Sequence, residues 1–299
     1  MYKRQEILNV IPKQYEIILQ SREKYRCSGC HSSIVTAPTP PRIMPGSSYS
    51  DDFIIDVALS KFCDLIPSGR QAAIAKRNGV CLPPSSLIKL HQYLANFLKP
   101  VYNLIKESIL SSRVVYADET PHKMLEGSER KNWYLWGFSS EQACYFECHD
   151  TRAGAVATNF LISSDCTVLL TDVYSGYKKS IKEINQIRKS NNSPEIIPAY
   201  CNAHARRKFI ESEENFKEEI DFFREKYKNI YKLEKELKAL KSSIESEELL
   251  NEDKTKESLL DKRLDMIPYF EDIKAKAEEI TEEVSAYSSN HNIYACLLY

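Results

Sequence analysis

Hydrophobic and polar positions alternate with different periods along the chain, and the changes of period mark its regions. Residues 1–26 carry short apolar patches such as YEIIL, which predict strands, and end in the basic YRC. Residues 27–50, CSGCHSSIVTAPTPPRIMPGSSYS, are rich in proline and serine and predict a loop. Residues 51–112 have helical spacing. DDFIIDVALSKFCDLI opens on aspartates suited to a helix N-terminus. IKLHQYLANFLKPVYNLIKESILSS is a second long amphipathic stretch, in which Pro100 predicts a kink or a break.

From 113 to 210 the period shortens. VVYAD predicts a short buried strand ending on Asp118. NWYLWGFSS and QACYFECHD predict two more strands joined by a short turn. AGAVATNFLISS predicts a helix. CTVLLTD predicts another buried strand, and it too ends on an aspartate, Asp172. YKKSIKEINQIRKS predicts a helix, EIIPAY a last strand, and CNAHARRKFIESEENF the start of a further helix. The order β-β-β-α-β-α-β-α defines a mixed α/β domain. Beyond 211 the chain is charged and helical. Phe216, Ile220, Phe223, Tyr227, Ile230 and Leu237 recur at spacings of three and four, which predicts a helical hairpin or coiled-coil-like arm. Pro268 is expected to break or kink its second half.

Composition narrows the class. The 299 residues are 42% apolar and 28% charged, as in a soluble globular protein. No apolar run approaches the ~18 residues of a membrane span. MYKRQEILNV lacks the apolar core of a signal peptide. These features predict a cytoplasmic protein with no membrane partner. Nine scattered cysteines argue against a disulfide framework. The net charge of −1 hides an asymmetry. Residues 1–210 hold 27 Lys and Arg against 19 Asp and Glu, a balance of +8; residues 211–299 hold 14 against 23, a balance of −9. A basic front part permits a polyanionic partner, although ordinary surface charge gives the same count.

The candidate chemistry lies in the two aspartates. Asp118 and Asp172 each follow an apolar strand. If those strands are neighbours in one sheet, the carboxylates converge and repel, and a divalent cation removes that penalty. Hard oxygen ligands suit Mg²⁺ or Mn²⁺. Paired metal ions act on phosphodiesters by activating the attacking oxygen and stabilising the leaving one. An aspartate after a strand is also a common turn or cap residue, so the residues alone leave both readings open.

A resemblance bears on the choice. ADETP, a following strand with Trp133 and Trp136, TDVYSGY and CNAHARRKF together resemble the catalytic core of the insertion sequence 66 family of transposases. YRCSGC, TAPTPPRIMPGS, KRNGVCLPPSSL and LKPVYNLIKESILSSRVVYADETP match in order before them, so the resemblance covers nearly the whole chain. It implies an RNase H-like fold with an acidic triad of the DDE type that cuts and joins DNA with Mg²⁺ or Mn²⁺. Asp118 would be the first acid and Asp172 the second. Cys201 and His204 match a Cys-x-x-His that follows the second acid in such enzymes. The implied partners are DNA (element terminal repeats and target), accessory proteins of the same element, and a second copy of the chain.

The expected fold is therefore α/β, an RNase H-like mixed sheet flanked by helices, with an N-terminal helical region and a C-terminal helical, coiled-coil-like insertion. Its expected divisions are 1–50, a partial zinc-ribbon-like segment and linker; 51–112, a helical DNA-binding region; 113–210, the catalytic core; and 211–299, the helical insertion. His204 reads as an accessory or DNA-contact residue, or as a structural histidine. Arg206, Arg207 and Lys208 read as phosphate contacts or as a solvated basic turn. Glu119, next along the strand from Asp118, points elsewhere and orients the loop. Trp133 and Trp136 read as core or sheet cover. The family's third acid lies in a pattern like NNxxER, whereas this chain ends at NIYACLLY. The family's usual upstream cysteine pair would complete a four-cysteine Zn²⁺ site, whereas here Cys27 and Cys30 stand with His31 alone. The expectation is thus a chain truncated at both ends. Three readings follow: a DDE transposase, a non-catalytic DNA-binding remnant, and another metal-dependent nuclease of the same fold class.

Overall fold

The computed structural model of the chain describes residues 6–10, 12–30, 34–124, 132–211, 213, 217–246 and 259–285. They fall into two units, 1–104 and 105–299.

In the first unit β1 (Lys24–Arg26) and β2 (Ile34–Thr36) form an antiparallel hairpin. Three helices follow: α1 (Asp51–Phe62), α2 (Ser68–Arg77) and α3 (Pro84–Phe97). Ser50 starts α1, its Oγ accepting the Phe53 amide at 3.2 Å, which satisfies one of the free N–H groups of the first turn. Ile54, Val57, Leu87 and Leu90 form the small core between these helices. The strand predicted at YEIIL is absent. Ile17 and Leu19 are each 91% exposed, and the hairpin takes only the KYR that follows. An apolar run becomes a strand only where a partner offers a ladder, and this one has none among the described residues. At Pro100 the break prevails over the kink. α3 ends at Phe97 and α4 (Lys99–Leu110) starts afresh, with Pro100 in its first turn, where a missing N–H costs nothing.

The second unit is built on a five-stranded sheet. Its strands are β3 (Val114–Lys123), β4 (Asn132–Ser139), β5 (Cys144–His149), β6 (Val168–Thr171) and β7 (Ile197–Tyr200), in the order β5-β4-β3-β6-β7. The pairs β3–β4 and β4–β5 are antiparallel; β3–β6 and β6–β7 are parallel. Helices α5 (Ala155–Leu161) and α6 (Ser175–Ser190) lie on the crossovers, and α7 (Asn202–Glu211) follows the last strand. The element order is the one the hydrophobic pattern predicts. One boundary differs. VVYAD does not end at Asp118, because β4 continues to pair with β3 as far as Lys123 opposite Asn132.

The pleat divides the sheet into two faces. On one, Val115, Ala117, Trp136, Phe138 and Leu169 pack against Val156, Ala157, Phe160 and Leu161 of α5 and Tyr177, Ile181 and Ile184 of α6. The Phe138 and Phe160 rings stack at 3.8 Å. Buried Arg188 closes this core at its rim by donating to the carbonyl oxygens of Cys166 and Ser164 at 2.6 and 2.5 Å. On the other face Val114, Tyr116, Leu135 and Phe146 are exposed.

Among the described residues the unit goes on with the long helices α8 (Lys217–Ser246) and α9 (Ile267–Ser285), with helical residues 259–264 before the second. Ile220, Phe223, Tyr227, Ile230 and Leu237 are buried against Met266, Ile273, Ala277 and Ile280, as their spacing predicts; Phe216 lies outside the described residues. Pro268 stands in the first turn of α9 and opens that helix instead of kinking it.

Candidate functional site

Strand register brings the two aspartates together. β3 and β6 are parallel, with Val114 opposite Val168, Val115 opposite Leu169 and Tyr116 opposite Leu170. Carried two residues past this ladder, the register would set Asp118, still on β3, level with Asp172, the first residue after β6. Side chains alternate along a strand, so Asp118 shares the exposed face with Tyr116; Asp172, half-buried, opens the turn that follows β6. Neighbouring strands run about 4.8 Å apart, so carboxylates at the end of such a pair can come within reach of one ion. Their charges converge on one group: after burial and the Glu119 contact, Asp172 and Asp118 both help to push the Tyr177 phenol far above its ordinary value. Gly137 is the β4 residue opposite Asp118 and projects nothing beside it. A Cβ there would come within 3.1 Å of the Phe146 ring.

Each aspartate is held by its own backbone. Asp118 Oδ1 accepts the Glu119 amide at 3.1 Å, and Asp172 Oδ1 accepts the Tyr174 amide at 3.0 Å. The second oxygen of each takes no hydrogen bond from the described residues. Two carboxylates presented this way fit Mg²⁺ or Mn²⁺, which need only one or two protein carboxylates beside water and substrate phosphate. Among the described residues no group of three or more His, Cys, Asp or Glu side chains is placed to hold a metal ion.

The other predicted residues distribute unevenly. The Cys201 amide donates to the Thr171 carbonyl at 2.9 Å, which holds Cys201, the first residue after β7, beside the end of β6. His204 lies in the first turn of α7; its amide donates to the Cys201 carbonyl, and its buried Nδ1 has no hydrogen-bond partner among the described residues. Arg206 faces α8, where it moderates the Tyr227 phenol, pushed up to about 12 chiefly by burial. Arg207 is exposed, and Lys208 pairs with Glu211 at 2.8 Å. Cys27 and Cys30 are exposed in the first unit, on the β1–β2 hairpin, where the Cys30 amide donates to Cys27 Sγ at 3.5 Å. Two thiols do not close a structural zinc site. His31 lies outside the described residues.

The sequence turns Glu119 away from Asp118, as the structure does, but its burial and its partners directly behind the site go beyond that expectation. Glu119 turns to the packed face, its side chain 1% exposed. There its Oε1 accepts from Arg152 Nη2 at 2.7 Å and Nε at 2.8 Å, and its Oε2 accepts from Tyr177 Oη at 2.6 Å. Arg152 also stacks on the Tyr174 ring at 4.2 Å. Burial works against its charge, but the hydrogen bond and charge of Glu119 outweigh it and raise the guanidinium pKa. The parity of VVYADE carried the signal: Glu119 follows Val115 and Ala117 on the buried set.

Comparison with known proteins bears on the same stretch. A family model described as "Transposase IS66 family" matches residues 46–296. The uncharacterised protein y4jD of Sinorhizobium fredii (strain NBRC 101917 / NGR234) is 29% identical over 217 residues, which are 69% of this chain and 42% of that protein. The uncharacterised protein y4qI of the same organism is 29% identical over 221 residues, 70% of this chain and 40% of that protein. The match spans about two fifths of the length of these relatives. Among the described residues no helix is long and apolar enough to cross a membrane. The family model covers most of the chain, from before α1 into the C-terminal helices, and the chain belongs to the IS66 family of transposases.

Proposed function

We propose that the chain carries the DNA-processing site of a transposase, with Asp118 and Asp172 as two of its metal-binding acids. The observation that carries the reading is the parallel pairing of β3 with β6, which sets Asp118 on β3 beside the turn that follows β6 and begins with Asp172. The sheet order, antiparallel on one side of β3 and parallel on the other, supports an RNase H-like core of the DDE type. Asp118 and Asp172 would hold Mg²⁺ or Mn²⁺ through the oxygens that their own backbone amides leave over. When bound, the ion would activate the attacking water or 3′-hydroxyl and stabilise the leaving oxygen. The protein supplies no covalent nucleophile in this scheme. Its part would be to fix one carboxylate on β3 and the other in the turn after β6, and to present exposed Arg207 of α7 to phosphate.

The test is Mg²⁺-dependent cleavage of DNA carrying the element ends, by the parent chain, Asp118→Asn and Asp172→Asn. The parent should cleave, and each variant should lose cleavage while still binding DNA. Equal activity in parent and Asp118→Asn would sink the assignment. Binding that weakens steeply with salt, with no cleavage by the parent, would favour the non-catalytic DNA-binding reading.

A further inference from the structure

The backbone ladder between β3 and β6 stops short of the candidate site. Its last pair is Tyr116 opposite Leu170, and β6 ends at Thr171. Beyond that point no strand pairing ties Asp118 to Asp172. The link is taken up by side chains on the packed face. Glu119, one peptide from Asp118, accepts the hydroxyl of Tyr177 at 2.6 Å, and Tyr177 stands in the first turn of α6, five residues from Asp172. Glu119 also accepts from Arg152, in the loop before α5. That loop is fastened to the Asp172 turn in its own right: Tyr174 Oη donates to the Arg152 carbonyl at 3.0 Å, and the Tyr174 amide donates to Asp172. The fit is close, since a Cβ on Gly154 would meet the Gly176 carbonyl oxygen at 2.2 Å.

We propose that Glu119, Arg152 and Tyr177 form a positioning unit that sets the separation of Asp118 and Asp172. The inference rests on the two-aspartate reading and adds to it what holds the pair in place. A buried carboxylate is an expensive way to fill a sheet face, because an apolar side chain of the same size carries no desolvation cost. What the carboxylate adds is direction. It joins the segment bearing one aspartate to the two segments flanking the other, at the level where the ladder no longer does. Tyr177 remains a neutral donor, since burial first and then the hydrogen bond to Glu119 and its charge drive its phenol upward. None of the three is expected to touch the ion or the DNA at the reacting atoms. They act through the two aspartates, as partners behind a ligand orient it.

Binding of Mn²⁺ to the full chain, followed by the paramagnetic resonance of the free ion, tests this without reference to cleavage. Tyr177→Phe deletes one oxygen and keeps the ring in the core. Glu119→Gln keeps the shape and removes the charge. Both should fold, with cooperative thermal unfolding, and both should bind Mn²⁺ about tenfold more weakly, the usual size of an effect behind a ligand. Arg152→Lys, which keeps a charged donor, should bind more tightly than Arg152→Met. Asp118→Asn should lose the ion. If Asp118→Asn loses Mn²⁺ while Tyr177→Phe and Glu119→Gln bind as the parent does, the positioning role is wrong and the two-aspartate site stands. If Asp118→Asn binds as the parent does, the two-aspartate reading fails and the positioning role falls with it.

Discussion

Asp118 and Glu119 are joined by one peptide bond and occupy opposite environments. Asp118 stands on the exposed face of the sheet, held by the Glu119 amide alone among the described residues. Glu119 is buried on the packed face, bonded to Arg152 and Tyr177. The pleat makes this division, since consecutive side chains leave a strand on opposite sides. It also assigns the two acids different work. An exposed carboxylate with an oxygen to spare can exchange water for an ion. A buried one must have its partners supplied by the protein, and so it becomes a joint. The same contrast runs along β4, where Leu135 is 39% exposed and the next residue, Trp136, is fully buried.

The largest effect should come from that β4 pair. Trp136 meets Tyr177 edge-on at 5.8 Å, and its Nε1 donates to the Thr151 carbonyl at 3.2 Å. Trp136→Ala is expected to cost about 4 kcal/mol by denaturant unfolding, the sum of lost burial and a cavity. Leu135→Ala, on the exposed face, should cost less than about 1 kcal/mol. An equal cost at both positions would mean that the face bearing Asp118 is not open, and the comparison would fail.

The acids themselves come next. Glu119→Ala strands the Tyr177 hydroxyl in the core and deprives Arg152 of its ion pair. It is expected to cost about 2 kcal/mol; more would follow if Arg152, whose side chain is 46% exposed, were buried too. Asp118→Ala should stay within about 0.5 kcal/mol of the parent in metal-free buffer, because its exposed carboxylate accepts only the Glu119 amide among the described residues. Thermal unfolding of the two variants side by side measures the difference. A larger loss at Asp118 would reverse the roles argued for the pair.

How much of this was legible beforehand depends on the range of the interaction. The order of strands and helices from 113 to 211 follows from local period, and so do the buried positions of α8. The pairing of β3 with β6 that sets Asp118 beside the Asp172 turn does not, because it joins segments 54 residues apart. Likewise, VVYAD looks like a complete strand until β4 is known to pair past it. The apolar YEIIL misleads for the converse reason: local content suggests a strand, and the partner that would make one is missing among the described residues. Glu119 was recognised as pointing away from Asp118. Its partners Arg152 and Tyr177 lie 33 and 58 residues away, and nothing local announces them.

The smallest effect concerns the rim of the packed face. Glu147 lies opposite Trp136 on β5, the outermost strand on that side of the sheet. Burial alone would raise its carboxyl pKa. Hydrogen bonds from Tyr145 at 2.6 Å, His149 at 3.1 Å and Lys106 at 3.2 Å, with the Lys106 charge, outweigh that and hold it below the ordinary carboxyl value of 4.5. A group whose pKa is lower folded than unfolded stabilises the fold fully above its unfolded pKa, and that stabilisation is lost as pH falls through its folded one. Glu147→Gln should therefore be less stable than the parent by about 1 kcal/mol at neutral pH. The deficit should shrink as the medium is taken below pH 4.5, where the parent's own carboxylate takes up a proton. Denaturant unfolding of both proteins at neutral and at acid pH measures it. A deficit that does not change with pH would mean that Tyr145, His149 and Lys106 hold a shape there and not a charge, and the rim would then differ from the Glu119 joint in kind as well as in size.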